Sequence, residues 1–315
     1  MNIMIVGAGV IGTIYGWALS EAGHSVTHLV RPGRALRLGS GISIDMLDRR
    51  KGHKKWHTGT YNIRVTETIS PADNYEMVIV PVRHYALEDA LRQIVPQAPD
   101  ADYLLLTQNW KGIAGIDNIL EQSKYIFGDA KAGGSLKDNK LTATIYAVDI
   151  GPVGNKQNSL LEKARNLFQS ADIKTTVRDN MLHYLWVQYA VSGGMWPALV
   201  RAGSLQAVLR DKNLVKASFL GAKECLSVAA ARGVELDKYP ETGIYFTSSA
   251  IKRAIGVIAM KIMFSFSKYI RRNSAHALAD PKEIKAFYYD LINSGAELGI
   301  SMPVMLGFKK DIDNL

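Results

Sequence analysis

Apolar and polar positions divide this chain into two halves with different periods. Up to about residue 177, short apolar runs alternate with stretches of 3.6-residue spacing. Runs at 2–6, 25–30, 42–47, 61–66, 77–82, 103–107 and 125–128 have the length and composition of strands, while 10–22 and 85–95 carry helical spacing. Strands alternating with helices predict a mostly parallel sheet with helices on both faces. Between 141 and 177, strands at 141–150 and 173–177 flank a helix at 159–170, which suits an antiparallel extension of the sheet edge. Beyond Asp179 almost every segment has helical spacing, with breaks expected at Gly193-Gly194, Gly233, Pro240, Pro281 and Gly299. The expected division is an α/β domain at 1–178 and an all-helical domain at 179–315.

The strongest local signal is GAGVIG, spanning Gly7, Ala8, Gly9, Val10, Ile11 and Gly12. It lies between the first strand and the first helix, where a G-x-G-x-x-G loop binds a dinucleotide. Gly7 allows the tight turn, Gly9 lets a pyrophosphate approach the backbone, and Gly12 lets the helix pack closely on the sheet. The helix start then offers unpaired N–H groups and a positive dipole end to the phosphates. At the end of the second strand the chain reads HLVRPGR, so Arg31 stands where a carboxylate would hold the ribose 2′-hydroxyl of NAD. A guanidinium suits the 2′-phosphate of NADP(H) instead, through paired charge-assisted hydrogen bonds.

Composition narrows the remaining classes. The 315 residues carry 38 Lys and Arg against 29 Asp and Glu, a formal charge of +9, which a phosphorylated small molecule or a nucleic acid could explain. Much of the excess sits in RRKGHKKWH, 49–57, read as a solvated hairpin tip; no recognition-helix or aromatic-basic platform accompanies it, and no nucleic-acid partner is expected. A single cysteine, Cys225, and no leader-like start predict a cytoplasmic protein. The apolar zone at 254–266 is interrupted by Lys261 and too short to span a bilayer, so no membrane partner is expected. With one cysteine a structural zinc site is not expected, and no metal is expected.

In the order of these segments the chain resembles the ketopantoate reductase (2-dehydropantoate 2-reductase) family. The resemblance spans nearly the whole chain: GAGVIG with Arg31, VPVRHYAL, LLTQNWKG, LWVQYAVSGGMWPAL, the pair Ser248-Ser249, and EIKAFYYDLINSGAELGISMP. It implies an α/β Rossmann N-terminal domain and an all-α C-terminal domain of the 6-phosphogluconate dehydrogenase C-terminal type. It also implies NADPH-dependent reduction of a small keto acid. Arg83 falls where the family has a lysine near the cofactor, and Asn109 matches the asparagine of its L-Q-N-G segment, with Trp110 in place of the glycine. Ser249 and Glu283 match substrate-side residues, although Lys285 replaces an aspartate. The interval between Ser249 and Glu283 is longer than the family's; the extra stretch, 252–280, could reshape the site, cover it or form a homodimer interface.

The departure with chemical weight lies in YLWVQYAVSGGM, 184–195. Gln188 and Ser192, one helical turn apart on one face, stand where the family has a lysine and an asparagine, and Trp196 replaces a second asparagine. Hydride delivered to a ketone leaves an alkoxide that must be stabilised and protonated. A glutamine amide donates a hydrogen bond but releases no proton near neutral pH, and losing general-acid catalysis costs about 10²–10⁴ in rate. Three outcomes are open: another acid serves (Lys252, Lys261, Lys268, His276 or His84); the substrate is an imine needing none; or the chain binds NADP in a regulatory or scaffold role without reduction. Gln188 and Ser192 could alternatively be a hydrogen-bonded pair tightening helix packing.

Overall fold

The computed structural model describes residues 1–52, 54–153, 159–247 and 280–315. Within it the chain separates into two compact units, Met1–Leu182 and His183–Leu315.

The first unit runs β1 (Asn2–Val6), α1 (Val10–Glu21), β2 (Ser25–Leu29), α2 (Ala35–Leu38), β3 (Ile42–Asp48), β4 (Lys55–Tyr61), β5 (Val65–Thr66) and β6 (Met77–Ile79). It continues through α3 (Leu87–Ile94), β7 (Asp102–Leu106), α4 (Ala114–Asp117), β8 (Tyr125–Lys137), β9 (Lys140–Gly151), α5 (Ser159–Ser170) and β10 (Lys174–Val177). The strands form one sheet in the order β4-β3-β9-β8-β7-β6-β1-β2-β5, with β10 against β9. From β5 to β8 every pairing is parallel. The carboxyl ends of β1, β2, β6 and β7 therefore share one edge, where open α/β sheets bind their ligands. This is the Rossmann-type arrangement that the alternating pattern predicts.

The extension beyond β8 differs from expectation in two ways. β8–β9 and β3–β4 are antiparallel, but β10 runs parallel to β9, and so does β3. The run at 61–66 is also not one strand: β4 ends at Tyr61, and a tight turn, with Ile63 N donating to Tyr61 O at 2.8 Å, precedes β5. Most of the basic run after Gly52 thus lies in β4. Three of its cations are tied down locally: Arg50 grips the buried Asp48 at 2.8 Å, Lys51 meets Asp172 at 2.9 Å, and Arg49 lies over the Tyr146 ring at 5.2 Å.

Residues 12–19 of α1 are buried on every side. An apolar helix of that kind needs cover all round, and the extension supplies it: Tyr15 donates its hydroxyl to Ala147 O at 2.7 Å, and Ser20 meets the Tyr61 hydroxyl at 3.2 Å. Ile14, Leu19, Ile3, Ile5 and Ile145 share the core beneath, each fully buried aliphatic side chain contributing about 1.5–3 kcal/mol. The phosphate loop thus rises from a helix that is held rigidly.

The second unit contains α6 (Met181–Ala202, begun two residues earlier), α7 (Leu205–Arg210), α8 (Lys212–Ala231), α9 (Gly243–Phe246), α10 (Pro281–Glu297), α11 (Pro303–Leu306) and α12 (Lys309–Asp313). The break expected at Gly193-Gly194 does not occur; α6 runs through both glycines and through Pro197. The glycines are there for close approach. A Cβ on Gly193 would lie 2.3 Å from Leu291 Cδ1, and one on Gly194 would lie 2.5 Å from the backbone of Ala222 in α8. Among the described residues no helix is long and apolar enough to cross a membrane.

Candidate functional site

The loop from Gly7 to Gly12 connects β1 to α1 as the glycine pattern requires. Gly7 has φ +90° and donates its N–H to Leu29 O at 2.7 Å, which fastens the turn to the end of β2. Gly9 is the N-cap of α1; no acidic residue occupies the first turn, and a Cβ built on Gly9 would meet nothing within 4 Å. The first helical amides therefore have no side-chain cap and no competing carboxylate in their own turn, as a pyrophosphate requires. Gly12 is packed tightly: a Cβ there would come within 3.1 Å of both Gly7 O and Ile5 Cγ2. Ala8, Val10 and Ile11 complete the loop, partly buried against the core beneath.

One supporting residue had no sequence signal. His28, buried in β2, bonds Gly7 O through Nδ1 at 2.9 Å and meets the Tyr61 hydroxyl through Nε2 at 3.2 Å. A carbonyl only accepts, so Nδ1 carries the proton and Nε2 accepts from Tyr61. Burial pushes the imidazole down to about 4, against the partial opposition of the Gly7 bond, so it is neutral near pH 7. Its ring fits against α1 only because residue 16 is glycine: a Cβ there would lie 2.4 Å from Nε2.

At the end of β2, Arg31 and Arg34 are exposed on a turn in which Arg34 N donates to Arg31 O at 3.1 Å. Glu67, just after β5, orders this turn by accepting from Ala35 N at 2.9 Å. The amides of Ala35, Gly33 and Arg34 together hold its carboxyl below the usual range. Glu67 spends its charge on backbone N–H groups, and no carboxylate stands at the strand end itself.

Arg83 follows β6 and is exposed, with Ala86 N donating to its carbonyl at 2.9 Å. Asn109 follows β7 but is buried, and its amide closes its own loop: Nδ2 donates to Gly112 O at 2.7 Å and Oδ1 accepts from Gly112 N at 3.0 Å. Gly112 takes φ +91°, so the glycine that position 110 lacks is supplied two residues later. His84 is half-buried, its ring edge-on to Tyr85 at 5.3 Å.

Beside Asn109 lies a cluster that sequence reading missed. Gln108 Nε2 donates to Asp129 Oδ1 at 3.1 Å, and the other oxygen of Asp129 pairs with Lys131. Lys131 is also 3.7 Å from Asp149, which Arg178 grips at 2.8 Å. Nothing in the spacing of these residues marks them as neighbours, because antiparallel pairing of β8 and β9 brings them together.

In the second unit, Gln188 and Ser192 are half-buried on α6, and no side-chain hydrogen bond joins them. Their neighbour Tyr189 stacks on Phe287 of α10 at 3.7 Å and donates its hydroxyl to Asp290 at 2.7 Å. Burial drives the Tyr189 hydroxyl far up, and the charges of Asp290 and Glu283 add to it. Glu283 stands in the first turn of α10, where its N–H is capped by Asp280 at 3.2 Å. The structure thus brings α6 and the start of α10 together around Tyr189. Trp196 leans on Phe287 at 4.5 Å, as packing. Ser249 lies outside the described residues, as do Lys252, Lys261, Lys268 and His276. Among the described residues no group of side chains could hold a metal ion.

A glycine loop on a parallel sheet, followed in the chain by a helical second unit, defines a Rossmann-type architecture. Residues 3–135 match the family model for ketopantoate reductase PanE/ApbA. The 2-dehydropantoate 2-reductase of Pyrococcus abyssi is 26% identical over 247 residues, covering 76% of this chain and 77% of that protein. Among solved structures, D-mandelate dehydrogenase with NADH and anilino(oxo)acetate superposes with a TM-score of 0.76 at 15% identity, over 100% of this chain and 97% of that one. The 2-dehydropantoate 2-reductase of Geobacter metallireducens gives 0.74 at 16% identity, over 100% and 99%. At such identities the superpositions establish the fold.

Proposed function

We propose that this protein is an NADPH-dependent oxidoreductase that reduces the carbonyl, or imine, of a small keto-acid-like substrate. The observation that carries the reading is the pairing of an uncapped Gly7–Gly12 loop with Arg31 at the end of β2, where no carboxylate stands. The cofactor, when bound, supplies a hydride. The chain's own part is binding and charge control. The α1 amides hold the pyrophosphate, Arg31 takes the 2′-phosphate on a turn that Glu67 keeps in shape, and Arg83 adds positive charge. Asn109 acts by fixing the loop after β7. Gln188, Ser192, Ser249 and Glu283 are the proposed substrate contacts, with Gln188 able to donate a hydrogen bond but not a proton.

The cofactor half is tested by fluorescence titration. The parent binds NADPH more tightly than NADH, and Arg31→Ala weakens NADPH about 10–100-fold while leaving NADH unchanged, as loss of a charged hydrogen-bond pair predicts. Equal affinity for the two cofactors in the parent refutes the assignment. The reaction half is tested by NADPH oxidation with ketopantoate and a panel of 2-keto acids and imines. Tight cofactor binding with no turnover across the panel favours a regulatory NADP-binding protein, a reading that Gln188 at the family's lysine position also motivates.

A further inference from the structure

β8 pairs in parallel with β7 only as far as Gly128, opposite Leu106. It then runs on past the carboxyl edge of the parallel strands, the edge from which the Gly7–Gly12 loop rises. Asp129 and Lys131 are its first charged residues beyond that point, and the ladder with β9 is irregular between Lys131 and Ala132. Such bulges re-aim side chains and recur beside active sites.

Lys131 is held as an ammonium between carboxylates, its side chain only partly buried. Its side chain is 32% exposed, whereas Asp129 and Asp149 are 13% and 3% exposed. Arg178 grips Asp149 through Nε at 3.2 Å and Nη2 at 2.8 Å, and Lys131 pairs with Asp129. Gln108 Nε2 fixes Asp129 Oδ1 at 3.1 Å, tying the pair to the segment that also holds Asn109. From the α1 side, Tyr15 is anchored on Ala147 O, directly opposite Lys131 in the ladder. Burial lifts the Asp129 carboxyl above the usual range, with Lys131 opposing.

We propose that Lys131, on β8, is the proton donor of this chain, a part for which the glutamine at position 188 is chemically unsuited. The inference rests on the reductase reading above. The carbonyl carbon gains a hydride from the reduced nicotinamide, the C=O π pair moves onto oxygen, and that oxygen takes a proton from Lys131 Nζ. The products are the alcohol, the oxidised cofactor and a neutral amine, which regains its proton from solvent. Gln108 and Asp129 are positioning residues.

The test uses the full chain, NADPH, and oxamate as a non-reducible stand-in for a 2-keto acid. Lys131→Met leaves NADPH affinity unchanged, weakens oxamate binding to the NADPH-loaded protein about tenfold or more, and lowers kcat with the 2-keto acid panel by about 10²–10⁴. Lys131→Arg keeps the charge and the pairing with Asp129, so it folds and retains oxamate. Its turnover stays low, because a guanidinium with a pKa above about 12 does not release its proton. Parental kcat in Lys131→Met overturns the proposal, and parental kcat in Lys131→Arg reduces Lys131 to a charge and overturns its role as acid. A parent that turns over nothing refutes the reductase reading separately; the oxamate titration then decides the Lys131 site, and unchanged affinity in Lys131→Met sinks it.

Discussion

His28 shows how one buried side chain can set the phosphate loop. Its proton on Nδ1 holds the Gly7 carbonyl, and its bare Nε2 receives Tyr61. Charging the ring would place a cation in the core and turn an acceptor into a second donor facing a hydroxyl. The folded-state value is depressed from 6.5 to about 4, so in that interval the unfolded chain binds more protons than the native one. The associated stability is fully present above pH 6.5 and is lost as pH falls towards 4, on the order of 3 kcal/mol in total. Urea unfolding of the parent at pH 7 and pH 4.5 should show a larger drop than in His28→Asn, which has no imidazole to charge. An equal drop in both would mean that His28 is not buried neutral. The sequence offered His28 as one more polar position in a strand; its role depends on Gly16 lying opposite, and no local pattern encodes that.

Elements obeyed their patterns where burial is one-sided and departed from them where two backbones meet. α5 occupies the range its spacing predicts, because its apolar stripe alone decides which face turns inward. α6 was expected to break at Gly193-Gly194, since glycine weakens a helix by about 1 kcal/mol relative to alanine. It continues because α8 and α10 come so close that a side chain there would collide. Gly194→Ala should therefore destabilise the protein by about 1–3 kcal/mol through overpacking. Gly243→Ala, where nothing lies within 4 Å, should be neutral or slightly stabilising. The two midpoints in urea make the comparison, and equal values would contradict the close crossing. The same distinction separates 61–66, which reads as one strand but is cut by the Tyr61 turn, from β1, which matches its apolar run.

Over the whole molecule, the charge of +9 includes cations tied to the structure and cations that project from it. Arg49, Arg50 and Lys51 are spent on Tyr146, Asp48 and Asp172, whereas Arg31 and Arg34 project from the turn after β2. The exposed pair should make NADPH binding sensitive to ionic strength, because a 2′-phosphate at the surface is screened within about 8–10 Å in ordinary buffers. Raising salt should weaken NADPH more than NADH, and Arg31→Ala should remove the difference. Parallel salt curves for the two cofactors in the parent would place the discrimination elsewhere.

The sequence alone determined the alternating α/β half, the helical half, the phosphate loop and the arginine after the second strand. Each of these is written in neighbouring residues, through periodicity or through a turn that only glycine can make. Only the tertiary structure decided that β3 pairs with β9, that His28 sits on Gly16 beneath Gly7, and that Lys131 meets Asp129 and Asp149 beside Gln108. Those contacts join residues far apart in the chain. They follow from which strand lies beside which, and long-range burial settles that choice.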